Sequence, residues 1–258
     1  MILLRIAPFI LGAASVLPAQ SHVAAEISAR LPTHATLPIA FTKTVSAAHA
    51  QPGDFIQART TQAIRLTDGR DVPAGSLVTG HVLAARAFAY DKTPYAKQLP
   101  GALKIQIDSL QVQGLTIPLH VSLRAMADPL ASWQAQEPKS TDLDTLGTTT
   151  QVGGDLLTPS QKEIINRNGD VVGYNKKGGE FAHLVPNSRG PLNCDGGDTE
   201  QPVSRFSASA CGLYGFTGVT LTDFDSSRIG LASTHSNPQI WKNTTALLET
   251  TPDESPSK

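Results

Sequence analysis

Charge is scarce in this chain. Asp, Glu, Lys and Arg make up 17% of 258 residues, against ~25% in an ordinary soluble protein. The formal net charge is −1, and the basic residues are scattered almost singly. No concentrated field is present to draw in nucleic acid or an anionic membrane surface. Aromatic residues are also few, at 5%, too thin for the two aromatic girdles of a lipid-embedded outer-membrane barrel. Beyond the N-terminus no apolar run reaches the ~20 residues of a spanning helix.

Catalytic signatures are missing as well. There is no G-x-S-x-G elbow, and Ser76 follows Gly75 in an ordinary turn-to-strand context. The seven histidines, His22, His34, His49, His81, His120, His183 and His235, form no H-x-H, H-x-x-x-H or H-E-x-x-H pattern, so zinc hydrolase chemistry lacks its usual spacing. Three of them, His81, His120 and His183, fall on strand-like segments and could meet only through folding. Asp108-Ser109-Leu110 and Asp144-Thr145-Leu146 lack the glycine of an aspartic protease loop. Carboxylates cluster at Asp142 and Asp144, at Asp195, Asp198 and Glu200, and at Asp223 and Asp225. The middle cluster could offer oxygens to calcium, but without EF-hand spacing a polar turn is the simpler reading. No catalytic, cofactor-binding or metal-binding residue is assigned.

What is present begins with Met1 to Arg5 and the apolar run Ile6 to Leu17. These match the n- and h-regions of a secretory signal peptide occupying residues 1–25, with small residues for cleavage between Ala19 and Ala25. Pro8 interrupts the run, which is short for a membrane anchor. No stable membrane insertion is expected after cleavage, and the expected location is periplasmic or extracellular. In that setting the only two cysteines, Cys194 and Cys211, read as a disulfide. Cys211 has no local base to make it a nucleophile.

The 21 Gly and 18 Pro punctuate segments that alternate with period two, the signature of half-buried strands. After a flexible lead-in over 26–36, a single β domain is expected over 37–249. Leu37 to Ser46, Phe55 to Leu66 and Ser76 to Phe88 read as strands. Alternation is strongest in Leu103, Ile105, Ile107, Ser109 and Gln111, then across Gln113-Gly114 in Leu115, Ile117, Leu119, Val121 and Leu123. Ala125 to Pro159 reads as an irregular excursion with one short helix near Pro129 to Gln136. Strands resume at Glu163, with Asn168-Gly169 as a hairpin turn whose central residues both take positive φ. The tail 250–258 reads as disordered. Tyr90 to Tyr95 and Gly212 to Gly218 place aromatics in flexible segments where a peptide or sugar could rest.

From Leu37 to Ala127 the order of signals is Pro52-Gly53-Asp54, a long strand, Asp68-Gly69, Val72-Pro-Ala-Gly-Ser76, Gly80, and a strand opening Gly114-Leu-Thr-Ile-Pro-Leu119. This resembles the opening half of the β-barrel domain in TrbI/VirB10 proteins of conjugation and type IV secretion channels. The resemblance implies a barrel, closed by Ile240 to Leu248. That family carries an inner-membrane helix and a Pro-rich arm where this chain has a signal-like segment.

The expectation is therefore an exported all-β protein: a mostly antiparallel barrel or sandwich with an irregular insertion and one disulfide. Its expected role is that of a non-enzymatic binding or structural module of the cell envelope, with a protein or glycan partner. The alternatives are a secreted hydrolase built from carboxylates or histidines, or a channel component.

Overall fold

A computed structural model describes residues 29–94, 97–138 and 140–252. The signal-peptide reading and all of the expected tail beyond Pro252 lie outside them. The described elements run β1 (Thr36–Phe41), β2 (Val45–Ser46), β3 (Phe55–Thr60), β4 (Ile64–Arg65), β5 (Asp71–Val72), β6 (Leu77–Arg86), β7 (Gly101–Val112), β8 (Leu115–Pro118) and β9 (Val121–Ala127). Then come α1 (Pro129–Gln134), β10 (Thr149–Thr150), β11 (Leu156–Thr158), β12 (Glu163–Ile165), β13 (Val171–Lys176), β14 (Gly179–His183), β15 (Asn187–Arg189), β16 (Leu192–Cys194) and β17 (Glu200–Pro202). The chain finishes with β18 (Gly212–Tyr214), β19 (Thr220–Asp223), β20 (Arg228–Ser233), β21 (Gln239–Ile240) and β22 (Thr245–Thr250). The protein is all-β, with one short α-helix among the described residues.

The main sheet follows the order β18-β9-β22-β1-β3-β6-β7-β20-β19. It curls until the loop after β19 reaches β9: Leu123 N–H donates to Phe224 O at 2.6 Å and Ser227 N–H to Val121 O at 2.7 Å. The result is a nearly closed barrel. Its pairings are antiparallel except β18 with β9. The bore holds Leu37, Ile39, Phe41, Ile56, Leu103, Ile105, Leu123, Ile229 and Leu248, all at most 2% exposed. Each such side chain contributes about 1.5–3 kcal/mol by leaving water, so the barrel is a packed core.

A second sheet, β10-β11-β12-β13-β14-β17, is an antiparallel meander built from the chain between β9 and β18. The sequence reading placed an irregular excursion over Ala125 to Pro159. Its helix is there, capped by Asp128, whose carboxylate accepts from Ala131 N–H. β10 and β11, however, already belong to the meander. Strands of two and three residues are too short to show a period.

Strict alternation fails where bulges occur. In β7, Thr79 pairs with Ser109 but Gly80 pairs with Ile107, leaving Asp108 as the extra residue. Parity switches there, so Leu110 and Val112 face the core rather than Ser109 and Gln111. In β9 the register jumps between Leu247 and Leu248, with Arg124 as the extra residue. Past the bulge Met126 points into the barrel core, while Ala125 and Ala127 turn outward to pack with Val152, Phe206 and Ala210 of the insertion.

Other segments were read too long or too loose. Leu37 to Ser46 bends after Phe41, leaving Lys43 exposed in the link to β2 rather than inside. Asn168-Gly169 is not a paired positive-φ turn: Gly169 has φ 89° and Asn168 does not join it. The Asn166 carboxamide oxygen instead accepts from Asn168 and Asp170 N–H. The lead-in packs from Ala29 onward, with Ala29 and Leu31 against the core, and Thr250 ends β22 with its hydroxyl on Pro32 O.

Candidate functional site

Two fastenings hold the insertion to the barrel. Cys194 and Cys211 form a disulfide, with Cα atoms 6.0 Å apart. It ties the end of β16 to the residue before β18. The second fastening is Arg124, 2% exposed, which the β9 bulge sends outward. Its guanidinium donates to Asp195 O at 2.6 Å, Val185 O at 3.0 Å and Ala208 O at 3.4 Å, and meets Glu249 Oε2 at 3.4 Å. A buried guanidinium is tolerable only when such acceptors replace water. Nothing in the sequence marks Arg124, because its environment comes from segments 61 to 125 residues away.

A cleft of about 420 Å³ opens where the meander meets the barrel, lined in part by Thr61, Gln62, Leu146, Leu157, Glu180 and Arg205. Gln62 holds its floor from the β3–β4 link: its Nε2 donates to Glu180 O at 2.9 Å and its Oε1 accepts from Ser204 N–H at 2.9 Å. Thr61 and Ser204 hydroxyls meet at 3.1 Å. The close approach requires glycine at 179, since a Cβ there would lie 2.5 Å from the Gln62 side chain. Across Ala135 a second hollow of about 330 Å³ is lined by Gln151, Val152 and Tyr214.

The electrostatics of the first cleft centre on Glu180 and Arg205, its only ionisable lining residues among those described. Burial pushes the Glu180 carboxyl up to about 7, against the opposing pull of the Arg205 charge and a hydrogen bond from Gln151. Burial likewise lowers Arg205, and Glu180 counters it. Gln151 is 3% exposed and donates to Ser204 O at 3.1 Å, yet its Oε1 has no partner.

The residues singled out from sequence are mostly occupied elsewhere. His81 Nδ1 meets the bulged Asp108 carboxylate at 2.8 Å on the barrel surface. His183 is exposed on β14, and His120 is exposed between β8 and β9, so the three strand histidines do not form one site. No group of three or more His, Cys, Asp or Glu side chains is placed to hold a metal ion among the described residues. Asp142 and Asp144 accept from nearby backbone N–H groups of their own loop, Glu200 pairs with Lys176, and Asp223 and Asp225 pair with Arg228. Asp195 and Asp198 are exposed. The Ser76 hydroxyl donates to Pro73 O within its turn.

Of the aromatics, Tyr90 is exposed and Tyr95 lies outside the described residues. Tyr214 OH accepts from Cys211 N–H, and Arg189 stacks 4.2 Å from its ring. Glu180, Arg205 and Gln151 went unnoticed in the sequence because each lies in an ordinary strand or turn. Gly178-Gly179 before Glu180 was the one local hint of a close approach.

No family model matches the chain, and no curated protein or solved structure shows significant similarity to it.

Proposed function

We propose that this protein is an exported, non-enzymatic binding module of the cell envelope that holds a protein or glycan partner in the cleft between barrel and meander. The observation that carries this reading is where the open space lies. The barrel bore is filled by apolar side chains, so it offers no chamber, whereas the junction cleft is open and sets apolar side chains such as Leu146 and Leu157 beside polar ones held in place, Gln62, Glu180, Ser204 and Arg205 among them. That mixture is the usual make-up of a recognition site. Its lining holds one carboxylate, Glu180, rather than the pair that a two-carboxylate hydrolase needs. The disulfide and the N-terminal apolar run support export.

The test is retention of purified envelope proteins and glycans on the immobilised oxidised protein, beside the variant Leu146→Trp. Leu146 is 64% exposed at the cleft, so an indole there narrows the opening without disturbing a core. The expected result is a defined partner retained by the parent and released by the variant. A partner held equally by both would place recognition on another face.

A further inference from the structure

The cleft is lined by two ionisable groups, Glu180 and Arg205, and the Arg205 guanidinium also donates to Ser132 O at 3.4 Å. Glu180 sits in β14, where Gln62 fixes its backbone, and Arg205 follows β17. Arg205 is the charge that acts on Glu180, and Gln151 is the other side chain bonded to it. Around the two ionisable groups the walls are mixed, apolar from Pro138, Leu146 and Leu157 and polar from Gln62, Thr149 and Ser204.

We propose that this cleft binds a small carboxylate-bearing ligand, with its anionic end on Arg205, its body against the Pro138, Leu146 and Leu157 wall, and Glu180 as the internal anion it replaces. This deepens the binding-module reading and rests on it. When Glu180 is ionised it neutralises Arg205 and repels an incoming carboxylate. When Glu180 is neutral, Arg205 keeps its bond to Ser132 O but faces no other ionisable lining residue, in a semi-enclosed site where charge-assisted hydrogen bonds to a carboxylate are strong. Ligand binding is then coupled to uptake of one proton, in the balance ligand carboxylate plus H⁺ plus ionised Glu180 giving bound carboxylate and neutral Glu180. The volume of about 420 Å³ suits a ligand of a few residues or a short organic acid. A free peptide C-terminus and a small carboxylic acid present the same group, and the experiment separates them.

Calorimetric titration of the full oxidised protein with N-acetyl-alanyl-alanine, its C-terminal amide, and butanoate, at pH 5.5 and pH 8.5, decides the matter. The free-acid peptide is expected to bind about thirtyfold more tightly at pH 5.5, the ratio for a competent state that requires a proton on a group titrating near 7. The amide is expected to bind at neither pH. Butanoate binding as tightly as the peptide would assign the site to small organic acids, and weaker butanoate binding would assign it to peptide termini; both support the carboxylate site. Glu180→Gln should remove the pH dependence while keeping the tight binding, and Arg205→Gln should abolish binding with the far-UV spectrum unchanged. Should Arg205→Gln misfold, Glu180→Gln alone still decides. The proposal is overturned if amide and acid bind alike, if Glu180→Gln keeps the pH dependence, or if no carboxylate binds at either pH. In the last case a partner released by Leu146→Trp would leave the binding-module reading standing.

Discussion

Arg124 shows how much a single side chain can hold. Its removal as Arg124→Ala takes the guanidinium donor from Val185 O and Asp195 O, leaves Ala208 O only its bond from Val185 N–H, and takes the guanidinium from Glu249. Breaking a buried ionic cluster from one side typically costs about 3–5 kcal/mol, so the unfolding free energy measured by urea titration should fall by an amount of about that size. Arg124→Lys should recover only part of it, because an ammonium cannot span carbonyls from three segments. Gly80 is a second point of tension. A Cβ there would meet Gln106 O at 2.2 Å between two paired strands that cannot part. Gly80→Ala should destabilise by about 1–3 kcal/mol, the usual cost of overpacking. Glu180 makes stability depend on pH. Burial holds its carboxyl up at about 7 in the fold against about 4.5 for an ordinary glutamate, so its favourable state is the neutral one. The associated stability is complete below about pH 4.5, declines as pH rises, and is gone above about 7, with an upper bound of about 3 kcal/mol. Subtracting the urea stability of Glu180→Gln from that of the parent between pH 4 and 8.5 should reveal this falling curve, and a flat difference would refute it.

Among the elements, the bulged strands decide which faces look inward. The long alternations of β7 and β9 were legible as strands because Val, Ile and Leu recur every second residue. What one chain does not announce is the extra residue at Asp108 or Arg124, since a bulge depends on the partner strand's register. Hence Leu110 and Val112 were missed as core, and Arg124 was missed altogether. The meander was harder still: strands as short as β10, β11 and β12 carry too few residues for a period, and their pairing is long-range. The disulfide was legible because two cysteines behind a signal-like N-terminal segment leave little choice. Its loop spans 17 residues, and closing a loop of that length contributes about 3 kcal/mol in the chain-entropy account. The double variant Cys194→Ser/Cys211→Ser should lower the urea stability by roughly that amount. Unchanged stability would mean that the Arg124 cluster alone seats the hairpin.

Seen whole, the molecule is a filled barrel with a meander fastened to one outer wall. The barrel's composition was readable in advance, whereas the cleft was not, because its two charged residues, 25 positions apart in sequence, are joined only when both sheets are assembled. The same assembly has a consequence for cutting the chain. The segment Asp195 to Asp198 is exposed and lies inside the loop that Cys194 and Cys211 close. A protease that nicks it separates a fragment bearing β17 to β22 from everything before it, yet the sulfur bridge still joins the halves. β22 also remains threaded between β9 and β1. The nicked protein should therefore migrate as one band without reductant and as two with it, while continuing to behave in solution as an uncut molecule.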